Sequence, residues 1–170
     1  MPHIRRLRSD EWQSYRELRL RALSDSPDAF GRTLEFESAR PDAEWASRVE
    51  AASASELDLP LVVDDSGQLA GLAWGKIFPS EPDTAHLFQM WVAPEWRGHG
   101  FGAEMVDRIV AWASTAGVLR VVLGVTGGNT SARRLYSRSG FVPTGEIEPL
   151  RPGSSIQCET MHLNLGGGAV

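Results

Sequence analysis

The hydrophobic and polar positions of this chain follow two different periods, and the changes between them divide it into elements. Near the start, apolar and large residues recur at the spacing of one helical face: Tyr15, Leu18, Arg19, Ala22 and Leu23. Runs rich in β-branched residues predict strands. The pattern predicts helices at 10–25, 33–39, 41–54, 103–116 and 129–139, and strands at 4–7, 59–63, 69–78, 85–92, 118–125, 141–146 and 156–165.

Local preferences mark the ends of several elements. Asp10 is expected to open the first helix with Gln13 as its capping-box partner, and 26–28 to break it. Residues 64–67 read as a turn between two strands. Gly140 is expected to stop the last helix.

The order of these elements is a strand, helices, a meander of strands, and then strands alternating with helices. This order predicts an α+β fold around a largely antiparallel sheet. We expect one domain over 1–165 and a flexible tail over 166–170.

A glycine-rich turn between a strand and a helix is the most distinctive local pattern. The chain turns at Pro94 and then carries three glycines, Gly98, Gly100 and Gly102. Glycine lets a backbone come close to a ligand because it has no Cβ. The unpaired N–H groups and positive dipole end of a helix N-terminus attract phosphate. The turn therefore indicates a pocket for a phosphorylated cofactor.

Composition and charge exclude several classes of protein. The net charge of −5 argues against a protein that binds nucleic acid by broad phosphate neutralisation. Cys158 is the single cysteine, so an intramolecular disulfide and a cysteine metal cluster are excluded, and no metal is expected. The start lacks an apolar signal region, and no apolar run reaches the length of a membrane span. We therefore expect a cytoplasmic protein without a membrane partner.

Three interpretations of the glycine-rich turn compete. Gly98, Gly100 and Ala103 satisfy the dinucleotide-binding pattern G-x-G-x-x-A. That fold needs its strand to run directly into the glycines, and here 94–97 intervene. A P-loop is excluded because no Gly-Lys-Ser/Thr follows. The third interpretation depends on a second block of residues.

The chain contains two blocks in order, Val92-x-Pro94-x-x-Arg97-Gly98-x-Gly100-x-Gly102 and then Asn129, Ala132, Leu135-Tyr136 and Gly140-Phe141. Together they resemble the GNAT superfamily of acyl-CoA-dependent N-acetyltransferases, strongly over 85–142 and only in layout over 1–60. The resemblance implies a GNAT-like fold with a mixed, mostly antiparallel sheet of six to seven strands, flanked by helices and splayed around the acetyl-CoA site. It also implies acetyl transfer from acetyl-CoA to an amine by direct attack in a ternary complex.

The resemblance assigns a cofactor role to each block. The amides of 98–103 would cradle the CoA pyrophosphate, a side chain at Gly100 or Gly102 would displace it, and Arg97 would add a charge-assisted contact. The strand at 90–92 would splay through a bulge and pair with the pantetheine amides. Asn129 would contact the cofactor, cap its helix, or do both. The expected cofactor-binding residues are Met90, Trp91, Val92, Arg97, Gly98, His99, Gly100, Phe101, Gly102, Ala103, Asn129 and Tyr136.

Two residues are the candidates for acid–base chemistry. Tyr136 lies two helical turns beyond Asn129, on the same face. In the family the matching tyrosine protonates the leaving CoA thiolate, whose reference pKa is close to that of a phenol. Relatives place a glutamate base at one of two positions, which here hold Gly124 and His86. A catalytic His86, a satisfied histidine in a sheet, and a water chain without a dedicated base are the alternatives.

The segment between the first helices usually defines the acceptor in this superfamily. Phe30 and Phe36 would either line a pocket or pack the helices on the sheet. Glu35 or Glu37 would attract a cationic amine, and Trp74 would form another wall.

We therefore expect an N-acetyltransferase that acts on a primary amine of a small molecule. A closed pocket lined by 26–37 would fit such an amine, whereas a protein acceptor, at an N-terminus or a lysine, would need an open groove. The alternative of another class is a non-catalytic acyl-CoA-binding regulatory module, which need not keep Tyr136. A homodimer is compatible with the apolar last strand, by analogy with relatives.

Overall fold

The computed structural model of the protein describes residues 1–166, and a seven-stranded sheet forms its centre. The strands are β1 (His3–Arg6), β2 (Asp58–Asp65), β3 (Gln68–Ile77), β4 (Thr84–Val92), β5 (Arg120–Thr126), β6 (Val142–Pro149) and β7 (Gln157–Asn164). The helices are α1 (Trp12–Asp25), α2 (Leu34–Ser38), α3 (Asp42–Ala54), α4 (Phe101–Thr115) and α5 (Thr130–Arg138). The strand order is β1-β2-β3-β4-β5-β7-β6; β4 and β5 are parallel, and all other neighbours are antiparallel. The predicted α+β fold with a mixed, mostly antiparallel sheet is confirmed.

A two-residue turn joins β2 to β3. Ser66 and Gly67 both have positive φ, 53° and 95°, as hairpin turns of type I′ require. Such turns match the right-handed twist of the strands, and Asp65 accordingly pairs with Gln68 at the start of the ladder. The predicted turn is confirmed at Ser66 and Gly67, whereas Asp64 and Asp65 belong to β2.

Helices cover both faces of the first half of the sheet. On one face, the Tyr15 ring of α1 lies 5.5 Å from the Trp74 ring of β3 and 5.7 Å from the Trp45 ring of α3. On the other face, α4 packs so closely that a Cβ added at Gly75 would lie 2.9 Å from Trp112. Because it is covered on both sides, β3 is buried at nearly every position.

β4 and β5 separate partway along their length. They pair only over 84–86 and 120–122. On its other side β4 pairs with β3 through a register shift, and Gln89 there has a φ of 59°, which is uncommon for a residue with a side chain. A bulge of this kind bends a strand, and beyond His86 the edge of β4 that faces β5 has no strand partner within residues 1–166. The predicted bulge before 90–92 is confirmed.

Several element ends differ from the prediction. The predicted capping box at Asp10 is wrong, because α1 has Glu11 as its N-cap and no side-chain cap. The Glu11 carboxylate instead binds Arg5 at 2.6 Å and accepts from the Arg8 amide at 2.8 Å. α4 begins at Phe101, two residues earlier than predicted, since the glycines before it are already positioned for a helix start.

The predicted C-terminal tail falls largely outside the described residues. Of 166–170, only Gly166 is described, and its amide lies 3.3 Å from the Leu119 carbonyl that accepts it. Within residues 1–166, no helix combines the length and apolar character that crossing a membrane requires. In the same part of the chain, no group of three or more His, Cys, Asp or Glu side chains is arranged to hold a metal ion.

Candidate active site

The loop before α4 has a backbone that glycine adopts most easily. Gly98 and Gly100 have φ values of 80° and 87°, and Gly100 is the N-cap of α4. A Cβ added at either position would meet no atom within 4 Å. Glycine therefore satisfies the backbone conformation here and leaves open space beside the loop.

Consecutive amides of this loop have no acceptor in the described part of the protein. The Arg97 amide donates to the Pro94 carbonyl, and the Glu104 amide donates to the Gly100 carbonyl. Between them, the amides of 98–103 have no backbone acceptor within residues 1–166. Unpaired amides at the positive end of a helix dipole form a site for an anion such as phosphate. This geometry fits the predicted pyrophosphate cradle.

Gly102 allows two helices to pack closely, and it does not face the space proposed for phosphate. A Cβ added there would lie 3.2 Å from Cδ2 of Leu135 on α5. The missing side chain thus lets α4 and α5 approach each other beside the loop. The predicted clash between a Gly102 side chain and phosphate is not supported, because that side chain would point at α5.

The Arg97 side chain is held by the protein itself. Its Nη2 donates to Asp25 Oδ2 at 2.7 Å, and its Nε donates to the Val92 carbonyl at 2.8 Å. Trp91 Nε1 donates to the same Asp25 oxygen at 2.9 Å. The hydrogen bonds from Trp91 and then Arg97 lower the pKa of Asp25 to about 2. Arg97 therefore anchors the loop to the end of α1, and its contact with phosphate stays a prediction.

Three rings pack together beside the same loop. The His99 ring lies 5.4 Å from the Trp96 ring and 6.5 Å from the Phe101 ring. His99 Nδ1 also lies 3.1 Å from the Arg97 carbonyl oxygen. These packed rings stabilise the shape of the loop, and the cofactor contacts of His99, Phe101 and Ala103 stay a prediction.

α5 brings two of the predicted residues to one cavity. The Asn129 side chain caps α5, since its Oδ1 accepts from the Ala132 amide at 3.2 Å. Tyr136 is 5% exposed and packs its ring 6.1 Å from that of Phe141. Both Asn129 and Tyr136 line the cavity. Burial raises the pKa of Tyr136, so its hydroxyl keeps its proton at neutral pH.

The cavity lies where β4 and β5 separate, and its volume is about 1760 Å³. Met90 of the bulge, Leu123 of β5 and Tyr136 of α5 contribute to its walls. Pockets for single small ligands usually measure about 300–1,000 Å³. The cavity therefore has room for an extended cofactor arm and an acceptor together.

His86 lines the cavity at the paired end of β4. Its ring stacks on Phe88 at 5.6 Å and meets the edge of Phe78 at 5.1 Å. Its Nε2 lies 3.4 Å from Glu81 Oε2 but is buried without a hydrogen-bond partner among the described residues. This geometry argues against a fully satisfied histidine, and the role of His86 as a base stays a prediction.

Gly124 occupies the other position at which relatives carry a glutamate. A Cβ added there would lie 2.8 Å from the Sγ of Cys158 on β7. A larger side chain at 124 would therefore require Cys158 to move. His86 is the remaining candidate from the two positions.

The acceptor-binding residues are only partly brought together. Phe30 and Trp74 line the cavity, whereas Glu35 and Phe36 do not. Phe36 is 50% exposed, and Glu35 is exposed as well. The acidic residue of α2 that reaches the cavity is Glu37, which is 4% exposed. Residues two apart on a helix point in different directions, so only one of the two glutamates faces inward.

Sequence reasoning missed the roles of Arg19, Asp25 and Gln89. Arg19 carried a signal, because it is a charged residue among the apolar positions of one helical face. Asp25 acts through partners more than sixty residues away. Gln89 forms the bulge with its backbone and accepts a hydrogen bond from Tyr15 with its side chain. No local pattern marks either of those two.

Comparison with known proteins identifies a family over most of the chain. A model of the acetyltransferase (GNAT) family matches residues 5–141. A mycothiol acetyltransferase from Beutenbergia cavernae is 33% identical over 137 residues, which cover 78% of this chain and 42% of that protein. The chain thus spans less than half the length of this relative. The predicted resemblance to the GNAT superfamily is confirmed.

Solved structures share the same fold. A GNAT-family acetyltransferase from Streptococcus pneumoniae superposes with a TM-score of 0.83 at 19% identity, covering 98% of this chain and 100% of that one. The acetyltransferase yncA from Salmonella typhimurium, solved with acetyl-CoA, gives a TM-score of 0.80 at 20% identity, covering 100% and 97%. At these identities the likeness concerns the fold, and it confirms the predicted splayed architecture.

Proposed function

Because this chain belongs to the GNAT family of acetyltransferases, we propose that it transfers the acetyl group of acetyl-CoA to the primary amine of a small molecule. The observation that carries the proposal is the opening between β4 and β5, with Tyr136 in its wall. The amides of 98–103, which have no backbone acceptor within residues 1–166, lie at the start of α4 and outside the lining of this cavity. The name of the mycothiol acetyltransferase that it resembles supports a small-molecule acceptor.

The donor half of the site would bind acetyl-CoA in an extended form. The amides of 98–103, at the positive end of α4, are suited to the pyrophosphate. The edge of β4 beyond His86 lacks a strand partner, so its free N–H and C=O groups are suited to pairing with the pantetheine amides. The hydrogen bond between Asp25 and Arg97 would hold the glycine-rich loop in a fixed position relative to β4.

Acetyl-CoA supplies an activated thioester carbonyl. His86, whose Nε2 has no hydrogen-bond partner in the described residues, would take a proton from the amine as its nitrogen bonds to the acetyl carbon. Tyr136 would give its proton to the sulfur as the carbon–sulfur bond breaks. Burial raises the pKa of Tyr136, and the same low-dielectric surroundings raise the proton affinity of a thiolate formed there.

One observation favours a second candidate, a protein amine as the acceptor. The cavity volume of about 1760 Å³ exceeds the range of about 300–1,000 Å³ that is usual for small-ligand pockets. An N-terminal residue or a lysine of a peptide would fit the part that the pantetheine arm leaves free. The two candidates differ in the acceptor and share the donor site.

The decisive experiment measures thiol release from acetyl-CoA with a panel of amines and short peptides. Release that depends on the amine, with a mass gain of one acetyl group in the product, is the expected result. Reactions without an amine control for hydrolysis of the thioester. Tight CoA binding without release for any amine or peptide would refute catalysis and indicate an acyl-CoA-binding regulatory module.

A further inference from the structure

Arg19 of α1 is a buried cation without a charge partner in the cavity wall. Its exposure is 5%, and its Nη1 is buried with no hydrogen-bond partner among the described residues. Within residues 1–166, no carboxylate lies in ion-pair contact with it. Its guanidinium lies 4.8 Å from the centroid of the Phe30 ring, and both side chains line the cavity. The ring orients the guanidinium and leaves a donor available.

The charged groups around Arg19 do not neutralise its positive charge. Burial lowers the pKa of Arg19. Tyr15 and Glu37 oppose this effect, and the charges of Arg48 and Arg40 add to it. Glu37 is already engaged by Arg40 at 3.1 Å. Glu44 pairs with Arg40 as well. Of these three cavity-lining arginines, Arg19 and Arg48 form no ion pair within residues 1–166, and arginine stays charged at neutral pH.

A buried cation without a partner is unfavourable unless an anion accompanies it. Arginine is suited to planar anions because its N–H groups form a fork that matches the two oxygens of a carboxylate. The imbalance at Arg19 therefore calls for a negative group on the molecule that fills the cavity.

Arg19 lies near the bulge of β4, where the acetyl transfer would take place. One helical turn before it, the Tyr15 hydroxyl donates to the side chain of Gln89, the bulge residue of β4. One turn of helix rises about 5.4 Å. Arg19 thus lies close to the point where β4 leaves β5, and a small molecule can reach both.

We propose that Arg19 binds a carboxylate of the acetyl acceptor, so that the acceptor is an amino acid or a related amino carboxylate. This inference rests on the proposed function and specifies its acceptor. The carboxylate pairs with Arg19 over the Phe30 ring, and the amine points toward the bulge of β4. A polyamine, which carries only positive charge, is disfavoured by Arg19, Arg40 and Arg48.

The first test uses the unaltered protein and acetyl-CoA. Thiol release and product mass are measured with the free L-amino acids, with the α-amide of each, with polyamines, and with peptides that carry an acidic side chain. We expect the preferred amino acid to exceed its own amide by about 10- to 100-fold in kcat/KM, the range for a hydrogen bond to a charged group. Free amino acids that outperform acidic peptides identify the carboxylate as that of a small molecule, and acidic peptides that outperform them overturn the proposal.

The second test replaces the arginine. Arg19→Gln should abolish the preference for the acid over the amide, and Arg16→Gln, on the same helix but outside the cavity lining, should keep it. Stabilisation of the unaltered protein against heat by the amino acid, and not by its amide, gives a readout independent of turnover and of any variant's folding. If the α-amides equal the free amino acids both in kcat/KM and in thermal stabilisation, this inference is overturned and the proposed function stays intact. Absence of acetyl transfer to every acceptor overturns the proposed function itself.

Discussion

Replacing Gly100 by alanine is expected to damage folding and cofactor binding by separate mechanisms. Its φ is +87°, and a Cβ there would meet no protein atom within 4 Å. The loss of stability is therefore backbone strain alone, about 1–2 kcal/mol for an L-residue in this region. If the pyrophosphate rests on the amides of 98–103, the added methyl group also separates it from them. Loss of one charge-assisted hydrogen bond, about 1.5–3 kcal/mol, weakens CoA binding by about 10- to 100-fold.

Gly117 provides a matched control for this substitution. It follows the other end of α4 with a φ of +82°, and a Cβ there would also meet no atom within 4 Å. Gly117→Ala should therefore lose about the same 1–2 kcal/mol of stability. The 15 residues of α4 separate it from the loop by about 22 Å, so CoA affinity should not change.

Urea unfolding measures the stability of both variants, and isothermal titration calorimetry measures their affinity for CoA. We expect equal losses of stability and a loss of affinity for Gly100→Ala alone. If both variants bind CoA as tightly as the parent, phosphate does not rest on these amides. If both weaken binding equally, the effect comes from general destabilisation, and the reasoning about the loop fails.

Three further substitutions test other parts of the site. Tyr136→Phe keeps the buried ring and removes the proton donor, so turnover should fall while CoA affinity stays nearly constant; unchanged turnover would exclude Tyr136 as the acid. His86→Gln should lower turnover and move the acidic limb of the pH–rate profile. If that limb stays in place, water and not His86 accepts the proton of the amine. The pKa of Asp25 in the folded protein is lowered to about 2. Its carboxylate therefore contributes its full stabilisation above the pKa of the unfolded state, about 3.9, and loses it as the pH falls through the pKa of the folded state. Asp25→Asn should therefore lose about 1 kcal/mol at neutral pH, allowing for partial exposure, and the difference from the parent should shrink toward pH 2 in acid unfolding. A difference that does not depend on pH would point to packing.

The glycine-rich loop shows what could be predicted from neighbouring residues. A strand, a proline turn, three glycines and an amphipathic run follow one another directly, so the sequence placed the strand and the turn, and the helix start to within two residues. The predicted bulge in β4 was found because the resemblance to a family implied it. Gly102 was misread, because its true neighbour, Leu135, lies on another helix.

The residues at the acceptor end of the cavity could not be predicted from neighbouring residues in the same way. Its residues come from α1, from α2 and from β3, which are far apart along the chain. Periodicity placed Arg19 on the packed face of α1 but could not tell whether a carboxylate would meet it there. The choice between Glu35 and Glu37 depended on the rotation of a helix of only five residues, which no periodic pattern defines.

The sequence by itself determined the order of strands and helices, the glycines at Gly98 and Gly100, and the family. These depend on local backbone preferences and on residues that are close along the chain. Only the tertiary structure decided that Arg97 binds Asp25, that Cys158 fills the space beside Gly124, and that Arg19 lies buried without an ion pair to any carboxylate of residues 1–166. Each of these depends on which distant side chains share a small volume, and packing and charge in three dimensions determine that.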